Sequence, residues 1–408
     1  MDKITFFELE ISRPGLFRAG TSATGTLPAG PYELRDLLEK ARIIDERVIY
    51  SIEILDSKLD YLPQFISSST NLYELNHLAK RLASLSQWEL DCFEGMVMMD
   101  AIQTEYAPIS VERLINMTHS MSDCQVVYEA HDDRTLGKFY ADNDFVPKLE
   151  GVLDEVYSCL DFEKIGKEMR EGEGGVFTPH GYVLQNGEIA KTYQSGDAIP
   201  LENPDYTILL SIGKGYFNDP EFDNDLTVQL KLPADDAVVS QAVETVGAAS
   251  LRECTFYVED CLAPSLAELI TDELNECDGD ITVVDALAEL LHKLDRDGRL
   301  PVYKAMLEAG PKDLTLDEAV DLAEQAVDFQ LLRETASPLE YARAELAKHD
   351  IPLKGVLLAN RDLQHYGQKL MESQSASCTD YGILLTPEGM TVEQCLARPE
   401  LSRGMEMK

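Results

Sequence analysis

Two stretches of this chain carry the same pattern of residues about two hundred positions apart, which constrains it to fold as two versions of one unit. Leu160-Asp161-Phe162, Ile165-Gly166-Lys167-Glu168-Met169 and Thr178-Pro179-His180-Gly181-Tyr182-Val183-Leu184 return 201 residues later. They reappear as Arg361-Asp362-Leu363, Tyr366-Gly367-Gln368-Lys369-Leu370 and Thr379-Asp380-Tyr381-Gly382-Ile383-Leu384-Leu385. Further upstream, Ile109-Ser110-Val111-Glu112 to Asp123-Cys124-Gln125 aligns with Leu314-Thr315-Leu316-Asp317 to Asp328-Phe329-Gln330 at an offset of 205. Asn76-His77-Leu78-Ala79, Leu82 and Leu85 align with Asp285-Ala286-Leu287-Ala288, Leu291 and Leu294 at 209. A drifting offset is what loop insertions between shared elements produce. The expected organisation is a tandem pair, residues 1–200 and 201–408, joined through the turn-rich stretch from Ser195-Gly196-Asp197 to Glu202-Asn203-Pro204-Asp205.

Each half reads in the same coarse order. A strand (Ile4 to Ile11; Tyr206 to Ile212) leads to a helix (Pro31 to Ala41; Asp235 to Val246) and then to a second strand (Val48 to Leu55; Thr255 to Val258) rich in β-branched and aromatic residues. Helices follow at Leu72 to Leu85 and Val111 to Asp123, matched by Ile281 to Leu294 and Leu316 to Asp328, and a final helix with a strand or hairpin closes each unit. Helices dominate and strands are scattered, so the expected class is an elongated α+β fold with small, mostly antiparallel sheets.

Charge narrows the function. The chain has 74 Asp and Glu against 35 Lys and Arg, a net charge of -39. Residues 1–200 hold 34 acids and 18 bases, and residues 201–408 hold 40 and 17. Both halves repel polyanions, which excludes direct binding to nucleic acid through its phosphates. With 44% hydrophobic residues the chain nevertheless has ample material for a core. The densest acidic region, Glu253 to Asp297, sets 13 acids against Lys293 and Arg296 alone.

The segment Leu316 to Asp328 shows how such charge can be organised. Thr315 and Glu318 form a capping-box pattern. At 100° per residue, Asp317, Asp321, Glu324 and Asp328 fall within about 60° of one another, while Leu316, Ala319, Val320, Ala323 and Val327 take the opposite side. The acids stand ~4.5–6 Å apart along the axis, against one phosphate per ~3.4 Å on each strand of DNA. Two or three such helices abreast would approach the charge density of a duplex. Like charges at i, i+4 cost an isolated helix a few tenths of a kcal/mol per pair, so the stripe opposes local stability. The aligned positions in the first half, Glu112, Asn116, His119 and Asp123, hold two acids only. Solvated surface is the plain alternative for any single stripe of this kind.

Motifs for chemistry are sparse. HExxH, GxSxG, a P-loop and a GxGxxG opening a helix are all lacking. Gly172-Glu173-Gly174-Gly175 is a turn surrounded by acids and unsuited to phosphate. Eight cysteines without a CxxC pair read as reduced and mostly buried thiols. The best enzymatic candidate is Asp219, Glu221 and Asp223 with Lys231, which can be bent into a metal-nuclease arrangement. As a calcium loop the stretch fails, because Asn224 replaces the turn glycine and Leu230 the bidentate glutamate. An acidic turn before a strand is the simpler reading, and no cofactor or metal is expected. The N-terminus lacks a basic, then apolar, leader, and no apolar run reaches the ~20 residues of a membrane helix, so the expected location is the cytoplasm, with no membrane partner.

Leu160 to Met169 followed by Gly175 to Val183, together with Leu72-Tyr73-Glu74-Leu75-Asn76-His77-Leu78-Ala79, resembles the ArdA-type antirestriction proteins. The first stretch is similar to that family's C-terminal antirestriction segment, and the second to its "Leu-Asn, x, Leu-Ala" helix. The resemblance covers most of residues 45–185 and recurs faintly in the second half. It implies a non-enzymatic mimic of bent B-form DNA that occupies the DNA groove of type I restriction-modification enzymes. On that resemblance Asp161, Glu163 and Glu168 match acids of the segment, and Asp154, Glu155, Glu171 and Glu173 extend its surface. Members of the family are about half this length, so a fused pseudo-dimer or a second unit with a different target is implied, and a homodimer remains compatible. The rival expectations are an acidic protein-interaction scaffold of a mobile element and the metal-dependent nuclease above.

Overall fold

Phe7–Ser12 (β1) alternates buried Phe7, Leu9 and Ile11 with outward Glu8, the period of a half-buried strand. It is the central strand of an antiparallel sheet with Ser22–Leu27 (β2) and Ser51–Ser57 (β3), in the order β2-β1-β3. Pro31–Lys40 (α1) packs beside it, with Pro31 at the first helical position and Glu33 closing back on the Gly30 amide at 2.7 Å. The computed structural model describes residues 5–13, 22–43, 48–146, 154–196, 204–215, 227–348 and 360–397. Of the join predicted from Ser195 to Asp205, residues 197–203 lie outside the described residues.

Three helices follow, Leu72–Ala83 (α2), Gln87–Gln103 (α3) and Val111–Met117 (α4), capped by Asn71, Ser86 and Ser110. Next come the strand Cys124–Val127 (β4), the helices Asp133–Asp142 (α5), Asp154–Tyr157 (α6) and Phe162–Glu173 (α7), and the hairpin Val176–Thr178 (β5) and Gly181–Gln185 (β6). The hairpin and β4 make a second antiparallel sheet, β4-β6-β5.

The second half runs through a similar succession, with one helix more after its third strand and another at its end. Ile208–Lys214 (β7), Val228–Leu232 (β8), Asp236–Thr245 (α8) and Cys254–Cys261 (β9) give a sheet of order β8-β7-β9. The irregularity in β1–β3 pairing at Glu8/Leu9 has its counterpart in β7–β9 at Leu209/Leu210. Helices Ala267–Glu276 (α9), Thr282–Arg296 (α10), Leu300–Ala309 (α11) and Leu316–Gln325 (α12) come next. They precede Gln330–Leu332 (β10), Pro338–Lys348 (α13), Asn360–Gln374 (α14), Ser377–Thr379 (β11), Gly382–Leu385 (β12) and Val392–Leu396 (α15). The last sheet is β10-β12-β11, the pattern of β4-β6-β5. The fold is thus helix-dominated α+β with small antiparallel sheets.

The recurring motifs have a structural role in both halves. Gly166 lets α7 lie directly on α5: a Cβ there would stand 1.8 Å from the Asp133 carbonyl oxygen. In α14 a Cβ on Gly367 would meet the Pro338 carbonyl oxygen at the same 1.8 Å. Thr178 Oγ donates to the Gly181 carbonyl at 3.1 Å, and Thr379 Oγ to that of Gly382 at 2.8 Å, each closing the hairpin before a glycine at positive φ. Asn76 clamps both backbone groups of Ala29 (2.7 and 3.0 Å), and its counterpart Asp285 accepts the Ala234 amide at 2.8 Å.

Apolar residues form two large cores, one in each half, with a small satellite under each terminal hairpin. The halves meet through α1, whose Tyr32 is buried in the second half's core. The Tyr32 amide donates to Asp260 at 3.2 Å, and Arg35 grips Asp295, with one of the two bonds at 3.0 Å. Beneath them Lys304 on α11, only 1% exposed, binds Asp36 at 2.8 Å and Glu39 at 3.0 Å. Tyr381 of the β11–β12 turn donates its hydroxyl to Asp36 at 2.7 Å. Among the described residues no helix is long and apolar enough to cross a membrane.

Candidate acidic interface

On α12 the capping box closes as its sequence requires, with Thr315 Oγ accepting the Glu318 amide at 3.3 Å and Glu318 accepting that of Thr315 at 2.9 Å. The register set by that cap turns Leu316, Ala319, Leu322 and Ala323 inward. Asp317, Asp321, Glu324 and Asp328 all stand exposed. Among the described residues none of the four makes an ion pair. Val327, expected on the core side, is instead 66% exposed. The α-helix stops at Gln325 and passes into a 3-10 turn over Ala326–Asp328, whose tighter winding buries Ala326 and swings Val327 out. The nearby Arg299 guanidinium is spent on backbone, donating to the carbonyls of Ala326, Val327 and Phe329 at 2.7–2.8 Å.

Two acidic helices pack against α12, namely α9 and α10. Glu268, Asp272 and Glu276 of α9 and Glu289 of α10 are exposed. Other members of the same acid-rich run serve the fold. Asp260 binds the Tyr32 amide and the Tyr206 hydroxyl, Asp285 holds the Ala234 amide, and Asp295 holds Arg35. Burial raises the Asp260 carboxyl above its usual range, consistent with a group that serves packing.

The stripe is not reproduced in the first half. Asn116 is buried and fixes the returning chain, accepting the Thr192 and Tyr193 amides at 2.8 Å and donating to the Tyr193 carbonyl at 2.8 Å. Glu112 accepts the Ser195 amide at 3.0 Å. That side of α4 is therefore covered by its own chain, leaving His119 and Asp123 exposed.

Around the first-half motif the expected acids divide. Asp161 caps α7 by accepting the Lys164 amide at 3.2 Å while staying exposed. Glu163 and Glu168 are exposed and Glu171 lies 3.9 Å from Lys167. Glu173 is exposed as expected and is also an anchor, its carboxylate accepting the hydroxyls of Tyr140 at 2.7 Å and Tyr182 at 3.2 Å. Asp154 and Glu155 lie on α6, and their side chains are outside the described residues. The same holds for Asp219, Glu221 and Asp223; Lys231, their proposed companion, binds Asp205 at 2.6 and 2.7 Å. Among the described residues no three His, Cys, Asp or Glu side chains gather as a metal site would require. Of the cysteines, Cys92, Cys124, Cys261 and Cys395 are buried, but Cys159, Cys277 and Cys378 are exposed, so the expectation of mostly buried thiols holds for half of them.

The group that sequence reasoning missed is the charged cluster of Asp36, Glu39, Lys304 and Tyr381. On α1 those charges look like an ordinary solvated face, and their partners lie more than 260 residues away in the chain. The one legible hint was Lys304 itself, a lysine inside the otherwise apolar run from Leu300 to Leu307. No family model and no curated protein sequence matches the chain.

Proposed function

We propose that this protein is an acidic DNA mimic that acts against restriction by occupying the DNA-binding groove of type I restriction-modification enzymes. The observation that carries the reading is the exposure of Asp317, Asp321, Glu324 and Asp328 on one side of α12, beside the exposed acids of α9. Carboxylates fixed on neighbouring helices meet Lys and Arg side chains as phosphates do, and they do so without the reorganisation a flexible acidic tail would need. The absence of a matching stripe in the first half makes the second half the principal contact surface. The first half supplies Asp161, Glu163 and Glu168 beside a rigid helix pair. The ArdA-like motifs support the reading indirectly, since Gly166, Thr178, Gly181 and Asn76 build the frame on which the acids are carried.

Competition tests it directly. A purified type I enzyme is titrated with this protein while its binding to labelled duplex DNA is followed at ~50 and ~200 mM salt. Displacement that weakens steeply with salt is expected. Undiminished DNA binding at the lower salt with the protein in large excess would refute the proposal.

A further inference from the structure

α1 joins the halves in one direction only. It sits in a seat on the second half made by β9, α11 and the β11–β12 turn. The first half contains the same elements: β3, α3 and the β5–β6 turn. An interface between two similar units that is not reciprocal leaves one seat and one helix unused. The unused seat is that of the first half, and its chemistry is reversed. Leu90, Phe93, Glu94 and Met96 of α3 align with Leu300, Tyr303, Lys304 and Met306 of α11, so a glutamate stands at the station of the buried lysine. His180 stands at that of Tyr381.

Glu94 is nine-tenths buried, and among the described residues the basic side chain nearest to it is His180, with Nε2 at 3.8 Å, beyond hydrogen-bond distance. Burial raises its carboxyl above the usual range. Asp91, one turn earlier, is satisfied by Gln87 at 2.9 Å and by the Tyr128 hydroxyl at 3.0 Å. Within the electrostatic reach of both carboxylates the Tyr61 hydroxyl is buried with no hydrogen-bond partner. A buried hydroxyl left without a partner is costly, and a carboxylate largely removed from water gains from a cation that reaches it.

We infer that the seat formed by α3 and the β5–β6 turn of the first half binds a helix of a partner protein bearing Lys or Arg at two positions three residues apart. These cations would take the places that Asp36 and Glu39 of α1 hold on the second half, with Glu94 receiving one of them. A second copy of this chain is a poor occupant, because its unused α8 carries Gln241 and Glu244 at the positions of Asp36 and Glu39. Glu244 would then face Glu94, like charge on like. The seat would act in the same way whether or not the α12 stripe engages a nucleic-acid cleft.

The probe is a fluorescent peptide of residues 29–43 bearing Asp36→Lys and Glu39→Lys, titrated with the full chain at ~0.15 M salt and followed by anisotropy. Saturable binding is expected, weakened at least about tenfold by Glu94→Gln and not weakened by His180→Ala, a half-exposed residue that contributes no negative charge. A scrambled peptide of the same composition should bind wild type and Glu94→Gln alike, and the unmodified peptide should show no saturable binding. The inference falls if the lysine peptide fails to saturate, or binds Glu94→Gln as well as wild type. It falls equally if sedimentation shows self-association that Val238→Asp on α8 abolishes, which would assign the seat to a second copy.

Discussion

Replacing Gly166 by alanine places a methyl group where the Asp133 carbonyl oxygen lies 1.8 Å away and the Gly137 amide nitrogen 2.7 Å away. Both are backbone atoms of a helix, so no side chain can swing aside. For the nearest contact to lengthen beyond 3.0 Å, α7 must lift off α5. That movement pulls on the Arg170–Asp133 pair at 2.7 and 3.1 Å and on the Tyr140–Glu173 bond at 2.7 Å, which bridge the same two helices. Overpacking of this kind costs roughly 1–3 kcal/mol or more, offset by about 1 kcal/mol of improved helix propensity. The strain on the two bridges adds to the cost, for an expected net loss of about 1–3 kcal/mol. Gly172 is the matched control on the same helix, with nothing within 4 Å of its Cβ position. Gly172→Ala should therefore stabilise by roughly 0.5–1 kcal/mol. With two large cores the chain need not unfold in one step, so the informative assay is amide hydrogen exchange of α5 and α7. Protection should fall in Gly166→Ala and rise slightly in Gly172→Ala. Equal protection in the two variants would refute the backbone-on-backbone crossing, and Gly367→Ala should repeat the Gly166 result in α14.

Lys304→Met leaves Asp36 and Glu39 buried without their shared cation, a loss of about 3–5 kcal/mol felt where α1 meets the second half, and exchange of α1 amides should accelerate before either core opens. Burial is the largest single influence on Asp36 and opposes its charge, but Lys304, Lys40 and the Tyr381 hydroxyl outweigh it and hold the carboxyl below its ordinary 3.8. A depressed folded value means that this stability is complete above the unfolded value and disappears as pH falls through the lower folded one, so urea midpoints should drop below about pH 4, and less steeply in Lys304→Met. Changing Asp317, Asp321 and Asp328 to Asn and Glu324 to Gln together should leave helix content and unfolding nearly unchanged, or slightly improved by relief of i, i+4 repulsion, while competition with DNA for the target enzyme weakens at least about tenfold. The same four changes around a surface of mere solubility would leave that competition untouched.

How much of this was readable in the residues depended on where each element is buried. β1, α2 and α12 were legible because each has one wet and one dry side, so their periods of 2 and 3.6 show in the letters. β2 was missed: Ser22–Leu27 is an edge strand of small and hydroxylated residues, held by pairing to β1 more than by apolar burial. α3 was missed for the opposite reason, since Leu90–Val97 is buried on every side and shows no amphipathic period. The repeated motifs were found from spacing alone, but spacing does not reveal that Gly166 serves a helix crossing or that Asn76 clamps a turn. Glu173 is exposed as expected, but spacing gave no sign that the hydroxyls of Tyr140 and Tyr182 converge on it.

Acidic residues here perform two separable tasks, and the division follows burial. Asp36, Glu39, Asp260, Asp285 and Asp295 are committed to partners in the fold, and the α1 group among them ties the halves together in one direction. Asp317, Asp321, Glu324 and Asp328 contribute nothing comparable to folding and repel one another. A non-reciprocal joint between similar units can in principle propagate into an open array, because the unused seat of one molecule can take the unused helix of the next. Like charge opposes that route here. Glu94 replaces Lys304 in the free seat, and the free helix keeps Glu244. The same exchange of lysine for glutamate leaves a largely buried carboxylate facing the free seat, which complements the basic helix inferred above.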